Sequence, residues 1–145
     1  MTAPVYVTSL QDYQSWLQQQ KAGTSPIPAS PAPGQIATFQ QLASTGSTVF
    51  ANSCAVCHGT NGQGGVGPAL WGPNATLGKY AGTTLFNNNA QAMLNFISTN
   101  MPLSAPGSLT HQQYIDLLCY ILIQDNQVSS SNTFNENQLA NITLR

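Results

Sequence analysis

The stretch Cys54-Ala55-Val56-Cys57-His58 sets two thiols and an imidazole within five consecutive positions. The remaining 140 residues hold only one more cysteine, Cys119, and one more histidine, His111. Three chemistries use such a cluster. A zinc site needs a second ligand pair, and Cys119 and His111 stand eight residues apart on one expected helix, off a common face. A thioredoxin-like dithiol belongs in a βαβ context, which this sequence does not offer. Covalent haem attachment asks for this spacing: thiols three apart on a helical turn reach both vinyl groups of one porphyrin. The next histidine then lies under the iron. The stretch therefore predicts one haem c bound through Cys54 and Cys57, with His58 as proximal ligand.

The surroundings of the cluster predict helices and loops. Ala90, Met93, Leu94 and Ile97 recur at helical spacing, giving a helix near 90–98. A further helix is expected over about 45–52. Thr110 and Gln113 form a capping-box pattern ahead of Ile115, Leu118, Cys119 and Leu122, one apolar face. The glycine-rich run 59–72 lacks the preceding strand and the Gly-Lys-Ser/Thr ending of a phosphate loop. Its glycines instead let backbone pass close to a flat ligand.

Farther out, composition divides the chain. Residues 1–21 read as a short strand and a short helix with Ser9 as N-cap. Residues 22–34 contain Pro26, Pro28, Pro31 and Pro33, a semi-rigid extended linker. The core domain spans 35–126. Residues 127–145 are polar and read as a tail, mobile or draped over a partner.

Charge is scarce: Lys21, Lys79 and Arg145 face Asp12, Asp116, Asp125 and Glu136. Polarity comes from 15 Gln, 13 Asn, 13 Ser and 14 Thr, whose state does not change with pH. Such a surface suits an acidic or harsh extracytoplasmic setting, and equally follows from a lineage bias in composition. With no basic cluster there is no electrostatic footprint for nucleic acid or anionic lipid. The longest apolar run, Leu117 to Ile123, is far too short to cross a membrane.

Beyond the attachment motif, residues 42–126 resemble class I cytochromes c. The likeness lies in Gly46 and Phe50, in CAVCHG, in GPALWG (Gly67 to Gly72), in Asn100-Met101-Pro102 and in YIDLLCYIL (Tyr114 to Leu122). It implies an all-α fold: a small helical bundle around one covalently attached haem, here with extended N- and C-terminal segments. It also implies that the Pro68 carbonyl accepts a hydrogen bond from His58 Nδ1–H, fixing tautomer and ring orientation. Leu70 would pack on the haem face, and Gly46, Phe50 and Tyr120 would meet where the terminal helices cross. Met101 is the candidate sixth ligand, 43 positions after His58 and in a loop before Pro102. Met93 instead lies on an apolar helix face, the profile of a packing methionine, and His111 follows an N-cap. Trp71 and Tyr80 are candidate hydrogen-bond donors to the haem propionates, with plain packing as the other reading.

A haem with both axial positions filled leaves no site for substrate, so the resemblance implies electron transfer rather than catalysis. An enzymatic haem needs the sixth position free of Met101. Two lysines in all give little charge steering toward a redox partner, which leaves apolar docking or covalent tethering. VYVTSLQDYQSWL (Val5 to Leu17) resembles the end of subunit II of haem-copper cytochrome c oxidases. There a Pro-rich linker and a cytochrome domain can follow directly. This implies a domain tethered to a membrane complex, passing electrons from an upstream donor to the oxidase copper domain. Met101 to Leu122 also resembles cytochrome subunits of quinoprotein dehydrogenases, so a free-standing periplasmic carrier or such a subunit is the alternative. A structural cytochrome polymer is a third reading. Haem attachment by this motif takes place outside the cytoplasm, which places the domain there.

Overall fold

The computed structural model describes residues 36–75 and 89–144. The expected strand and helix of 1–21, the linker 22–34 and Tyr80 lie outside the described residues.

Among the described residues four α-helices and one 3₁₀ turn are present, and no strand. Helix α1 (Phe39–Ser53) begins earlier than the apolar pattern suggests. Thr38 caps it: the Thr38 hydroxyl accepts from Gln41 N–H, and Gln41 Oε1 accepts from Thr38 N–H at 2.8 Å. This second Thr-x-x-Gln box adds residues 39–44 to the helix. Helix α2 (Ala55–His58) is a single turn that follows Cys54 directly. Helix α3 (Ala90–Asn100) is capped by the Asn89 side chain, and α4 (His111–Gln124) by the expected Thr110–Gln113 box.

Helices α1 and α4 form the main packing pair. They approach so closely at Gly46 that any added Cβ would collide with the Asp116 carbonyl oxygen of α4. Beside this crossing Phe50 packs against Tyr120 with tilted rings, centroids 5.6 Å apart, at the contact the family resemblance implied. Val49, Phe50, Leu118 and Leu122 are fully buried there. Each such side chain contributes about 1.5–3 kcal/mol of hydrophobic stabilisation. No helix among the described residues is long and apolar enough to cross a membrane.

The segment after α4 corrects an expectation. Through residue 144 it packs on the domain's own core. Asn126 adopts φ 54° and ends α4 in a Schellman turn, with Gln127 N–H donating to Leu122 O and Asn126 N–H to Ile123 O. The chain then doubles back over the starts of two helices. Carbonyls of Asn132 and Ser130 accept from Phe39 and Gln40 N–H, each at 2.9 Å, and Ile142 O accepts from Ala90 N–H at 3.0 Å. These are first-turn amides with no partner inside their own helix. Phe134 meets Phe39 edge-on at 5.4 Å. The 3₁₀ turn Glu136–Asn141 buries Leu139 completely, and Leu144 is buried beyond it. A polar composition hid this because a few apolar residues, Val128, Phe134, Leu139, Ile142 and Leu144, and backbone carbonyls do the anchoring.

Candidate haem site

The attachment motif lies at the α1–α2 junction. Cys57 and His58 N–H both donate to Cys54 O, at 3.1 and 3.0 Å, winding the three residues into one turn. Cys54 and Cys57 are unpaired and half-buried. Burial, and then the neighbouring Cys57, push the Cys54 thiol up to about 11. A redox dithiol works the other way, through a lowered thiol pKa.

After His58 the glycine-rich loop folds back on the motif. Gly64 N–H donates to His58 O and Gly67 N–H to Cys57 O, both at 2.8 Å. This places Pro68 O 2.8 Å from His58 Nδ1, although they stand ten positions apart. A carbonyl only accepts, so Nδ1 carries the proton and Nε2 keeps its lone pair for a metal. Gly67 is required for the approach: a Cβ there would sit 2.9 Å from His58 Cε1 and 3.0 Å from Nδ1.

One apolar cleft collects these groups. Cys54, Cys57, His58, Pro68, Leu70, Met93, Ile97 and Met101 all belong to its lining. Its volume of about 320 Å³ is that of a ligand cleft rather than a packing defect. Met101 is half-buried, and its N–H donates to Ile97 O at 3.0 Å. Met93 is buried on α3 and also reaches the cleft, so the structure brings both methionines to it. His111 does not line it; it is 66% exposed and 2.8 Å from Glu136 Oε1. Cys119 is fully buried in α4 and outside the lining. Burial first, and then the charge of Asp116, hold its thiol well above the usual range.

Trp71 takes its place in an aromatic cluster, 5.0 Å from Phe50 and 5.5 Å from Tyr120 by ring centroids. Burial also pushes the Tyr120 phenol up. These contacts pack Trp71 against α1 and α4.

Two features went unread in the sequence. Tyr114 is buried on α4 and its hydroxyl donates to Met101 O at 2.7 Å. The signal was present, since Tyr114, Leu117, Leu118 and Ile121 stand at i, i+3, i+4 and i+7. The second is a rim: Val56, Val66 and Leu103 are 73–94% exposed and all line the cleft. Exposed apolar side chains gathered at one opening mark a ligand or partner surface.

The cytochrome c family model matches residues 43–124, more than half of the chain. The chain belongs to the cytochrome c family. Two curated relatives are thiosulfate dehydrogenases. The one from Psychrobacter arcticus is 28% identical over 130 residues, covering 79% of this cytochrome and 36% of the relative. The one from Thiomonas intermedia is also 28% identical over 130 residues, with 82% and 38% covered. This cytochrome thus spans little more than a third of their length. Among solved structures, the sulfane dehydrogenase SoxCD from Paracoccus pantotrophus aligns with a TM-score of 0.56 at 20% identity. That alignment covers 68% of this chain and 51% of the other, and the likeness is one of fold. The fold is the all-α class I cytochrome c fold.

The cytochrome's cofactor is covalently bound haem c. The residues of this chain fit it. The cleft is apolar, two thiols share its wall on one helical turn, and Nδ1 of the histidine is committed to Pro68.

Proposed function

We propose that the domain is a one-electron relay with a His/Met-ligated haem, working outside the cytoplasm and drawing electrons from a dehydrogenase. The observation that carries this reading is the pairing of a Pro68-anchored His58 with Met101 in the lining of the same cleft. When bound, the haem supplies the reversible one-electron couple of its iron. The chain does the rest. Pro68 O holds the proton on His58 Nδ1 and keeps Nε2 basic. Met101 offers a thioether, which favours the reduced iron and raises the potential. Leu70 and Ile97 give the cleft apolar lining. With His58 and Met101 both holding the iron, no position would remain for a substrate.

The dehydrogenase as donor is supported by the thiosulfate dehydrogenase relatives and by the likeness of Met101–Leu122 to dehydrogenase cytochrome subunits. It is favoured here over the oxidase-linked reading. That reading rested on residues 1–21, outside the described residues, and the curated relatives point to dehydrogenases instead. Thiosulfate itself does not carry over, because the alignment leaves most of those enzymes unmatched.

An optical spectrum tests the ligation. The oxidised wild type should be low-spin with the weak far-red band of methionine bound to ferric iron. Met101→Ala should lose that band, drop in potential and bind carbon monoxide when reduced. A variant with the parent's potential and ligand resistance removes Met101 from the iron. Rapid mixing tests the partner. Reduction by a dehydrogenase with its substrate supports the donor proposed here, whereas fast transfer only to an oxidase dicopper domain restores the oxidase reading.

A further inference from the structure

The segment from Met101 to Thr110 joins α3 to α4 and carries the proposed sixth ligand at its first residue. Residues 103–108 are exposed, so side-chain packing gives this stretch little hold on the core. Its internal bonds, Ala105 N–H to Pro102 O at 2.9 Å and Ser108 N–H to Ala105 O at 3.2 Å, shape the turns without tying them to the helices. The Tyr114 hydroxyl does tie them. It donates to Met101 O at 2.7 Å and accepts a long bond from Leu109 N–H at 3.5 Å, so one oxygen meets the loop near both ends. The ring is 3% exposed and seated in the first turns of α4, behind the Thr110–Gln113 cap.

We infer that Tyr114 is a positioning residue that clasps the Met101 loop and sets how firmly the sixth iron position stays closed. The inference rests on Met101 being the sixth ligand. The bond to Met101 O exists only while the backbone of Met101 is seated. An exogenous ligand that displaces the thioether and moves the loop must break it. The hydroxyl therefore favours the closed state by the free energy of that bond, without touching iron or haem.

The test compares haem-loaded wild type, Tyr114→Phe and Tyr120→Phe, with imidazole as the probe of the oxidised proteins. Phenylalanine keeps the buried ring and removes only the hydroxyl. Tyr114→Phe should keep the far-red band at neutral pH yet bind imidazole about three- to ten-fold more tightly, the span of one ordinary hydrogen bond. Tyr120→Phe loses a hydroxyl from the same helix away from the loop and should bind as wild type does. Equal affinity of Tyr114→Phe and wild type overturns the inference, as does the same rise in both variants. A second reading needs no variant. In wild type the Tyr114 hydroxyl proton should exchange slowly by NMR, and exchange at the bulk rate overturns the clasp. A wild type without the far-red band fails earlier: Met101 is then not the ligand, and both readings fall together.

Discussion

The imidazole of His58 and the carbonyl of Pro68 meet at 2.8 Å across a nine-residue glycine-rich loop, and Gly67 lies against the ring between them. The geometry leaves no space for a methyl group at position 67. Gly67→Ala should therefore tilt or displace the His58 ring at a cost of about 1–3 kcal/mol. Proton NMR of the haem methyls should report a changed axial-ligand orientation, together with a shifted potential. A variant matching wild type in both would mean that the loop yields without cost and that Pro68 does not fix the ring.

The α1–α4 crossing depends on one missing side chain. At Gly46 a Cβ would run into the Asp116 carbonyl, which is backbone and cannot swing away. Gly46→Ala should lower the denaturation midpoint by the equivalent of about 1–3 kcal/mol, the usual size of an overpacking penalty. An unchanged urea midpoint would show that the two helices can separate freely, contrary to the packing described.

The returning segment should prove integral to stability. Leu139 is fully buried under the 3₁₀ turn, so Leu139→Ala should cost about 2–5 kcal/mol. Ending the chain after Gln127 should cost more, because it also strips the partners from Phe39, Gln40 and Ala90 N–H. Thermal unfolding of the haem-loaded forms measures both. A truncated protein with the parent's melting temperature would return residues 128–145 to the status of a loose tail.

Asp125 introduces an acid-range dependence of unusual sign. Desolvation raises its carboxyl above the ordinary value, and the hydrogen bond from Gln127 Nε2 opposes this in part. It also caps the C-terminus of α4, where the helix dipole disfavours a negative charge. A carboxyl raised on folding favours the folded state while protonated. That contribution is complete below the unfolded value and disappears as pH rises through the folded one. Asp125→Asn should thus be slightly more stable than wild type at neutral pH and should lose the downward step on the acid side. Parallel urea midpoints of the two proteins from acid to neutral pH would show the carboxyl to be fully hydrated.

What the sequence determined by itself is local. The spacing of Cys54, Cys57 and His58, the Thr110–Gln113 cap and the face of Ile115, Leu118 and Leu122 each act within a turn or two of helix. Short-range stereochemistry fixes them wherever the chain goes. The cytochrome c fold and its haem followed, as did Pro68 opposite His58 through the likeness to known members. Only the tertiary structure decided where residues 127–144 lie and what holds Met101 in place. The anchors there are carbonyl oxygens of Ser130, Asn132, Ile142 and Met101. Every residue carries the same carbonyl, so such a contact leaves no mark in side-chain identity or spacing. It comes into being only when distant segments have already been brought together.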